Sequence, residues 1–253
     1  MDLLLDTTIQ IDRITGTRKR QSAVKEKLRG NELFCSTYVL GEYYSNIVND
    51  LVTLYGLFLM DEDPAETMKR ITERVFGRSQ SRAIKLFANI LSICDSDAEQ
   101  IKDTFLLYMD LIQDEFYADV KEMLDTTQCA RANRKIEYEE GVPFLPAVSC
   151  AKGNKVCEIC SFWKDATAEA EKLVEVDGID EKIKSIFKKA RDSEQEYQGK
   201  NCWTLGDVII SVEALKGLEN PGVCSSNKKD FQPICDAIGI GLAVPDYSWK
   251  KHT

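Results

Sequence analysis

Apolar residues follow two regimes along the chain: short continuous runs near both ends, and helical spacing through the middle. The first run, Leu3-Leu4-Leu5, ends at Asp6 and predicts a buried strand with an acid at its carboxyl end. The basic, polar stretch from Gln10 to Arg29, with apolar Ile11, Ile14, Val24 and Leu28, predicts a loop and a helix. Glu32 to Ser36 predicts a second strand. Thr37 then caps a helix from Tyr38 to about Met60, with Leu40, Tyr43, Tyr44, Ile47 and Leu51 on one face.

From Asp61 to about Gln198 almost no strand pattern remains. Asp63-Pro64 is a helix start, with proline at the first helical position, and the pattern runs to Phe76, where Gly77 ends it. Ser79 opens a further helix to Ile93. Ser96-Asp97-Ala98-Glu99 has capping-box spacing and opens a long amphipathic helix through Ile101, Phe105, Met109, Ile112, Phe116, Val120 and Leu124. Gly141 to Gly153, with Pro143 and Pro146, predicts a loop, and two more helices follow, Trp163 to Val176 and Ile179 to Tyr197. After Gly199 the short runs return. Asp207 leads into a helix through Val208 to Leu218, and Gly222 to Ser225 is a strand. A polar turn from Asn227 to Phe231, a short helix to Ile238 and a last strand at Leu242-Ala243-Val244 complete the pattern.

Composition narrows the class without naming a function. The 253 residues are 43% hydrophobic and 30% charged, enough apolar material for a sizeable core. No run approaches the length of a membrane span, and the apolar stretch after Met1 is too short for a signal peptide, so a cytoplasmic protein with no membrane partner is expected. The net charge of −9 argues against a protein that coats nucleic acid by bulk attraction. It leaves room for local basic segments that meet phosphate and for carboxylates that hold cations. The nine cysteines are numerous for a reducing compartment, where disulfides are not expected; Cys35, Cys94 and Cys235 lie in apolar surroundings and read as buried thiols.

Four acidic pieces carry the candidate chemistry: Asp6 closing the first strand, Glu42 one turn into the next helix, Asp207 opening a later helix, and Ser225-x-Asn227-x-x-Asp230-Phe231 after a strand. Taken singly, each has a plain alternative as a helix cap, a solvated helix residue or a turn former. Ligands of open parallel sheets bind outside the carboxyl ends of the strands, where these pieces lie. Carboxylates meeting at one edge repel unless cations lie between them, and hard oxygen ligands suit Mg2+ or Mn2+.

In this order the pieces resemble the motifs of the PIN-domain family, over roughly residues 1–58 and 200–245. The resemblance implies a three-layer α/β/α domain with a central parallel sheet and metal-dependent hydrolysis of phosphodiester bonds, usually in RNA. It implies Asp6, Glu42 and Asp207 as ligands of Mg2+ or Mn2+ and Asp230 as the residue completing the site. Ser225 and Asn227 would orient carboxylates or water, and Thr7 would help position a substrate phosphate. The chain departs from compact members of the family in the long interval between Glu42 and Asp207. It therefore reads as a discontinuous PIN-like domain, residues 1–60 and 199–253, interrupted by a mainly helical insertion, residues 61–198.

Within the insertion, Cys150-x6-Cys157-x2-Cys160 has metal-clip spacing, with Cys129 as a fourth ligand and Zn2+ as the ion; thiols packed under a loop is the alternative. With a single histidine, His252 at the C-terminus, the chain offers no Cys2His2 set. Basic residues recur between the first two strands (Arg13, Arg18, Lys19, Arg20, Lys25, Lys27, Arg29), early in the insertion (Lys69, Arg70, Arg74, Arg78, Arg82, Lys85) and late in it (Lys182, Lys184, Lys188, Lys189, Arg191). They are either solvated faces or phosphate contacts. The expectation is an endoribonuclease acting on single-stranded RNA, its insertion offering a surface for a protein partner. A DNA nuclease, a non-catalytic nucleic-acid or protein-binding module of the same fold, and a toxin held by an antitoxin are the competing expectations.

Overall fold

In the computed structural model, which describes residues 1–94 and 97–248, the chain forms two compact units. The Arg78 side chain, Ser96 and His252 lie outside the described residues. One unit comprises Met1–Glu42, Asp119–Asn133 and the chain from Val148 onward; the other comprises Tyr43–Ala118 and Arg134–Ala147. These boundaries differ from the divisions at 60/61 and 198/199 read from composition. Much of the middle segment packs with the two chain ends.

The first unit is built on a parallel five-stranded sheet. Its strands are β1 (Asp2–Leu5), β2 (Glu32–Ser36), β3 (Glu122–Leu124), β6 (Pro221–Cys224) and β7 (Gly241–Ala243), in the order β3-β2-β1-β6-β7. The chain winds outward from β1 through β2 to β3, then returns to the other side of β1 for β6 and β7. The direction of winding therefore reverses between β1 and β6, where Leu5 registers with Cys224. Open sheets bind ligands at such a reversal, outside the carboxyl ends of the strands. Leu3, Leu4, Leu5, Val223 and Cys224 are fully buried, which is why these short strands read as continuous apolar runs.

The stretch between β1 and β2 is two helices rather than a loop and one: α1 (Thr7–Thr15) and α2 (Arg18–Leu28). Ile9, Val24 and Leu28 from them join Leu3, Leu5, Leu33, Cys224 and Ala243 in one core cluster. After β2 comes α3 (Thr37–Tyr43), which carries Glu42. The helix predicted to run unbroken to Met60 passes instead through a π-helical turn, Tyr44–Val48, into α4 (Asn49–Phe58).

The second unit contains α4, α5 (Pro64–Arg74), α6 (Gly77–Leu91) and α7 (Ala98–Tyr117), with a hairpin of β4 (Glu137–Glu139) and β5 (Val142–Phe144). Phe58, Phe87 and Phe105 meet at its centre with ring centroids 6.0 to 6.3 Å apart. Gly77 is the first residue of α6, not the stop of α5, which closes at an extended Val75. Asp97 caps α7, accepting a hydrogen bond from the Gln100 N–H at 3.1 Å. The helix expected through Leu124 stops at Tyr117. Asp119, at φ 61°, turns the chain back. The Lys121 N–H then donates to the Leu33 carbonyl at 2.8 Å and seats β3 on the sheet edge.

In the first unit the chain continues after Val148 through α8 (Ile159–Asp165), α9 (Thr167–Glu175), α10 (Glu181–Ala190) and α11 (Lys200–Thr204), then α12 (Gly206–Gly217) and α13 (Lys228–Ile238). The helix expected from Ile179 to Tyr197 ends at Ala190, and Glu194–Tyr197 is a separate 3-10 turn. Among the described residues no helix is long and apolar enough to cross a membrane.

Candidate metal-binding carboxylate site

The acids singled out from the sequence collect at the edge of the sheet where winding reverses. Asp6 follows β1 directly, its N–H donating to the Cys224 carbonyl at 2.9 Å, which locks the ends of β1 and β6 together. The Asp6 side chain is buried. Its Oδ2 accepts hydrogen bonds from Ser225 Oγ at 2.8 Å and Thr8 Oγ1 at 2.5 Å. Ser225, the first residue after β6, is fully buried; its Oγ also accepts the Asn227 N–H at 3.0 Å, which shapes the polar turn.

Glu42 lies near the end of α3, half-buried, its Oε2 accepting a hydrogen bond from Thr7 Oγ1 at 2.7 Å. Thr7, expected to meet substrate phosphate, thus orients a carboxylate. Asp207 is in the first turn of α12 and Asp230 in the first turn of α13. Asn227 joins them, its Nδ2 donating to Asp230 Oδ2 at 2.6 Å and to Asp207 Oδ2 at 3.4 Å. Asp6, Asp207 and Asp230 all sit at helix N-termini, where backbone N–H groups favour negative charge.

Gly206 explains how α12 comes so close. A Cβ there would stand 3.1 Å from Glu42 Oε1 and 3.1 Å from the Tyr38 hydroxyl. With no side chain, the start of α12 can lie against Glu42, bringing Asp207 alongside.

The electrostatics record this crowding. Burial pushes the Asp207 carboxyl from 3.8 up to about 8, and the neighbouring charges of Asp6, Glu42 and Asp230 add to the rise. Burial also raises Asp6, partly offset by its hydrogen bonds from Thr8 and Ser225. Burial raises Glu42 too, with the Thr7 hydrogen bond opposing it and Asp6 adding to it. A carboxyl in the state of Asp207 holds its proton at neutral pH unless a positive charge enters. The donors are carboxylate oxygens with orienting hydroxyls and an amide, a set suited to a hard divalent cation. Among the described residues no group of three or more His, Cys, Asp or Glu side chains is gathered so as to hold an ion. The four acids share this edge through their fields and through bridging hydrogen bonds.

Residues not singled out from the sequence complete the surroundings. Thr8 holds Asp6 and accepts the Ser226 N–H at 3.3 Å. The Tyr38 hydroxyl donates to the Cys202 carbonyl at 3.0 Å. Arg131, 4% exposed, spreads its guanidinium over the rings of Tyr38 and Trp203 at 5.2 and 5.5 Å. Glu213, fully buried on α12, accepts hydrogen bonds from Thr126 at 2.8 Å and Thr127 at 3.4 Å. Thr8 was visible as the neighbour of Thr7; the others are brought in by folding from positions far apart in sequence. Several of the basic residues are committed to other acids: Arg20 to Asp12, Arg70 to Asp61 and Arg82 to Asp50.

The expected thiol group is rearranged. Cys129, Cys150 and Cys157 line one cavity, and the fourth cysteine on its wall is Cys202. Cys160 lies on the first turn of α8, and its thiol hydrogen-bonds the Glu194 carbonyl at 3.4 Å. Cys35 and Cys235 are buried as expected, whereas Cys94, just past the end of α6, is only half-buried. Among the described residues no cysteine is in a disulfide. Comparison with family models, curated proteins and solved structures finds no match to this chain.

Proposed function

We propose that this chain is a metal-dependent nuclease with a PIN-like three-layer α/β/α domain, hydrolysing phosphodiester bonds in single-stranded RNA. The observation that carries the reading is the gathering of Asp6, Glu42, Asp207 and Asp230 at the reversal of the parallel sheet, where burial, with the charges of the other three acids adding to it, pushes Asp207 up to about 8. Asp6, Glu42 and Asp207 are the residues to hold Mg2+ or Mn2+, and Asp230 closes the set. When bound, the ion supplies an activated water and positive charge for the scissile phosphate.

The chain's own side chains have distinct tasks in this reading. Thr7 keeps Glu42 aimed at the edge, and Ser225 with Thr8 fixes Asp6 and favours its ionised form. Asn227 holds Asp207 and Asp230 side by side. The exposed indole of Trp203, shortly before Asp207 in the chain, supports a single-stranded substrate, because unpaired bases stack on such a surface.

The test is cleavage of labelled single-stranded RNA and DNA in Mg2+, Mn2+ or EDTA, beside Asp6→Asn and Asp207→Asn. RNA cleavage abolished by EDTA and by either substitution is expected. Cleavage of DNA alone would change the substrate class. No cleavage of either polymer by folded protein with any metal would overturn the reading in favour of a binding module.

A further inference from the structure

Cys129, Cys150, Cys157 and Cys202 line a single small cavity of about 20 Å3, room for one ion or water. They come from distant parts of the chain: the turn after β3, the loop before α8, and α11. Cys202 lies within electrostatic reach of each of the other three.

The geometry points to a structural Zn2+ site in this cavity, with the thiolates of Cys129, Cys150, Cys157 and Cys202 as its four ligands. Four cysteines lining one small space, without carboxylate or imidazole among the lining residues, offer the soft donor set that a tetrahedral Zn2+ takes.

The surroundings are those of a built site. The Ile159 N–H hydrogen-bonds the Cys157 sulfur, and Arg131 Nε donates to Cys129 Sγ at 3.4 Å. Donors of this kind stabilise thiolates and orient them. Zn2+ with four thiolates carries net negative charge, and the buried Arg131 guanidinium offsets part of it. Gly41 leaves space for the Cys129 thiol, since a Cβ there would come within 2.8 Å of Sγ. Gln198 pins the loop between Cys150 and Cys157: its Oε1 accepts the Gly153 N–H at 2.7 Å and its Nε2 donates to the Asn154 carbonyl at 3.3 Å. As the side chains stand, the thiols ring the cavity without converging on one centre. Bonds of about 2.3 Å to Zn2+ would draw them together.

The site differs from the carboxylate edge in ligand chemistry, so the two are tested apart. Zinc content is measured on the full chain in the Asp207→Asn background, purified after expression with added Zn2+, and Co2+ is exchanged in for its visible spectrum. One zinc per chain and the bands of a tetrahedral cobalt thiolate are expected. Cys202→Ser and Cys157→Ser should lose both signals, and Cys160→Ser should keep both. Retention in Cys202→Ser with loss in Cys160→Ser would overturn this ligand set. Folded Asp207→Asn protein that takes up neither metal, or that shows a disulfide among these cysteines in place of metal, would overturn the site itself. The cobalt spectrum of the chain with all its cysteines decides the matter even where a cysteine variant fails to fold.

Discussion

Asp207→Asn should make the metal-free protein more stable while abolishing its response to metal. The folded chain holds the Asp207 carboxyl at about 8, against 3.8 ordinarily, because it is buried and faces Asp6, Glu42 and Asp230. An acid raised in this way contributes most to stability below its unfolded value, and that contribution drains away as pH climbs through the folded one. Neutral pH stands about three pH units above 3.8, and at about 1.4 kcal/mol per unit this sets a ceiling of about 4 kcal/mol. Asparagine is neutral throughout and can still accept the Asn227 hydrogen bond. The expected gain in EDTA is about 2–4 kcal/mol at pH 7, a rise in melting temperature of roughly 5–15 °C. Near pH 4 the two proteins should converge. Adding Mn2+ should raise the wild-type melting temperature by mass action and leave the variant unmoved, closing or reversing the gap. Thermal denaturation at pH 4 and 7, with EDTA or Mn2+, reads all of this. A variant less stable than wild type in EDTA at pH 7, or one that gains equally from Mn2+, would refute the picture of a carboxylate edge that waits for a cation.

Glu213 makes a second pH-dependent case, since burial pushes it from 4.5 to about 7. Wild type should lose up to about 3 kcal/mol as pH rises through that window, and Glu213→Gln should escape that loss; urea denaturation at pH 5 and 8 compares them. Ser225→Ala removes a donor to buried Asp6 and an acceptor for the Asn227 N–H, and should cost about 1–3 kcal/mol in the same assay. Trp203→Ala should weaken single-stranded RNA binding in EDTA roughly 5- to 150-fold while sparing duplex RNA, with Trp203→Phe retaining most of it, as read by fluorescence anisotropy. Gly206→Ala places a methyl 3.1 Å from Glu42 Oε1, so Mn2+-dependent cleavage should fall while circular dichroism stays unchanged.

What could be read from the sequence follows from how each part is encoded. The central strands were legible because burial on both faces turns them into unbroken apolar runs, as at Leu3-Leu4-Leu5. Asp6, Asp207 and Asp230 were legible because each stands at the end of such a run or in the first turn of a helix, whereas Glu42 stands near the end of the short α3. The edge strand β3 was not. Glu122-Met123-Leu124 is short and continues the helical spacing of α7, and only the backbone turn at Asp119 separates the two. The fourth cysteine on the cavity wall was hidden in a related way. The Cys157-x2-Cys160 spacing suggests a pair, but α8 starts at Ile159 and carries Cys160 toward Glu194, while the fold delivers Cys202 from α11. Arg131 and Tyr38 left no signal at all, since a cation over a ring depends only on the final arrangement.

The segment from Asp119 to Asn133 shows why the middle of the chain is not wholly an appendage to the carboxylate edge. Its Thr126 and Thr127 hold Glu213, which shares α12 with Asp207. Its Arg131 lies over both Tyr38, whose hydroxyl stands beside Gly206, and Trp203 on α11. Its Cys129 faces the same cavity as Cys202. One short stretch that the sequence places far from Asp207 therefore meets α12 at Glu213 and reaches Tyr38 and Trp203 near its start. A buried carboxyl pushed as far as Asp207 would relax toward water if its backbone were free to move, since burying charge is the main cost it bears. The packing of the segment after β3 and the burial of the carboxylate edge thus share one helix, α12, which carries both Glu213 and Asp207.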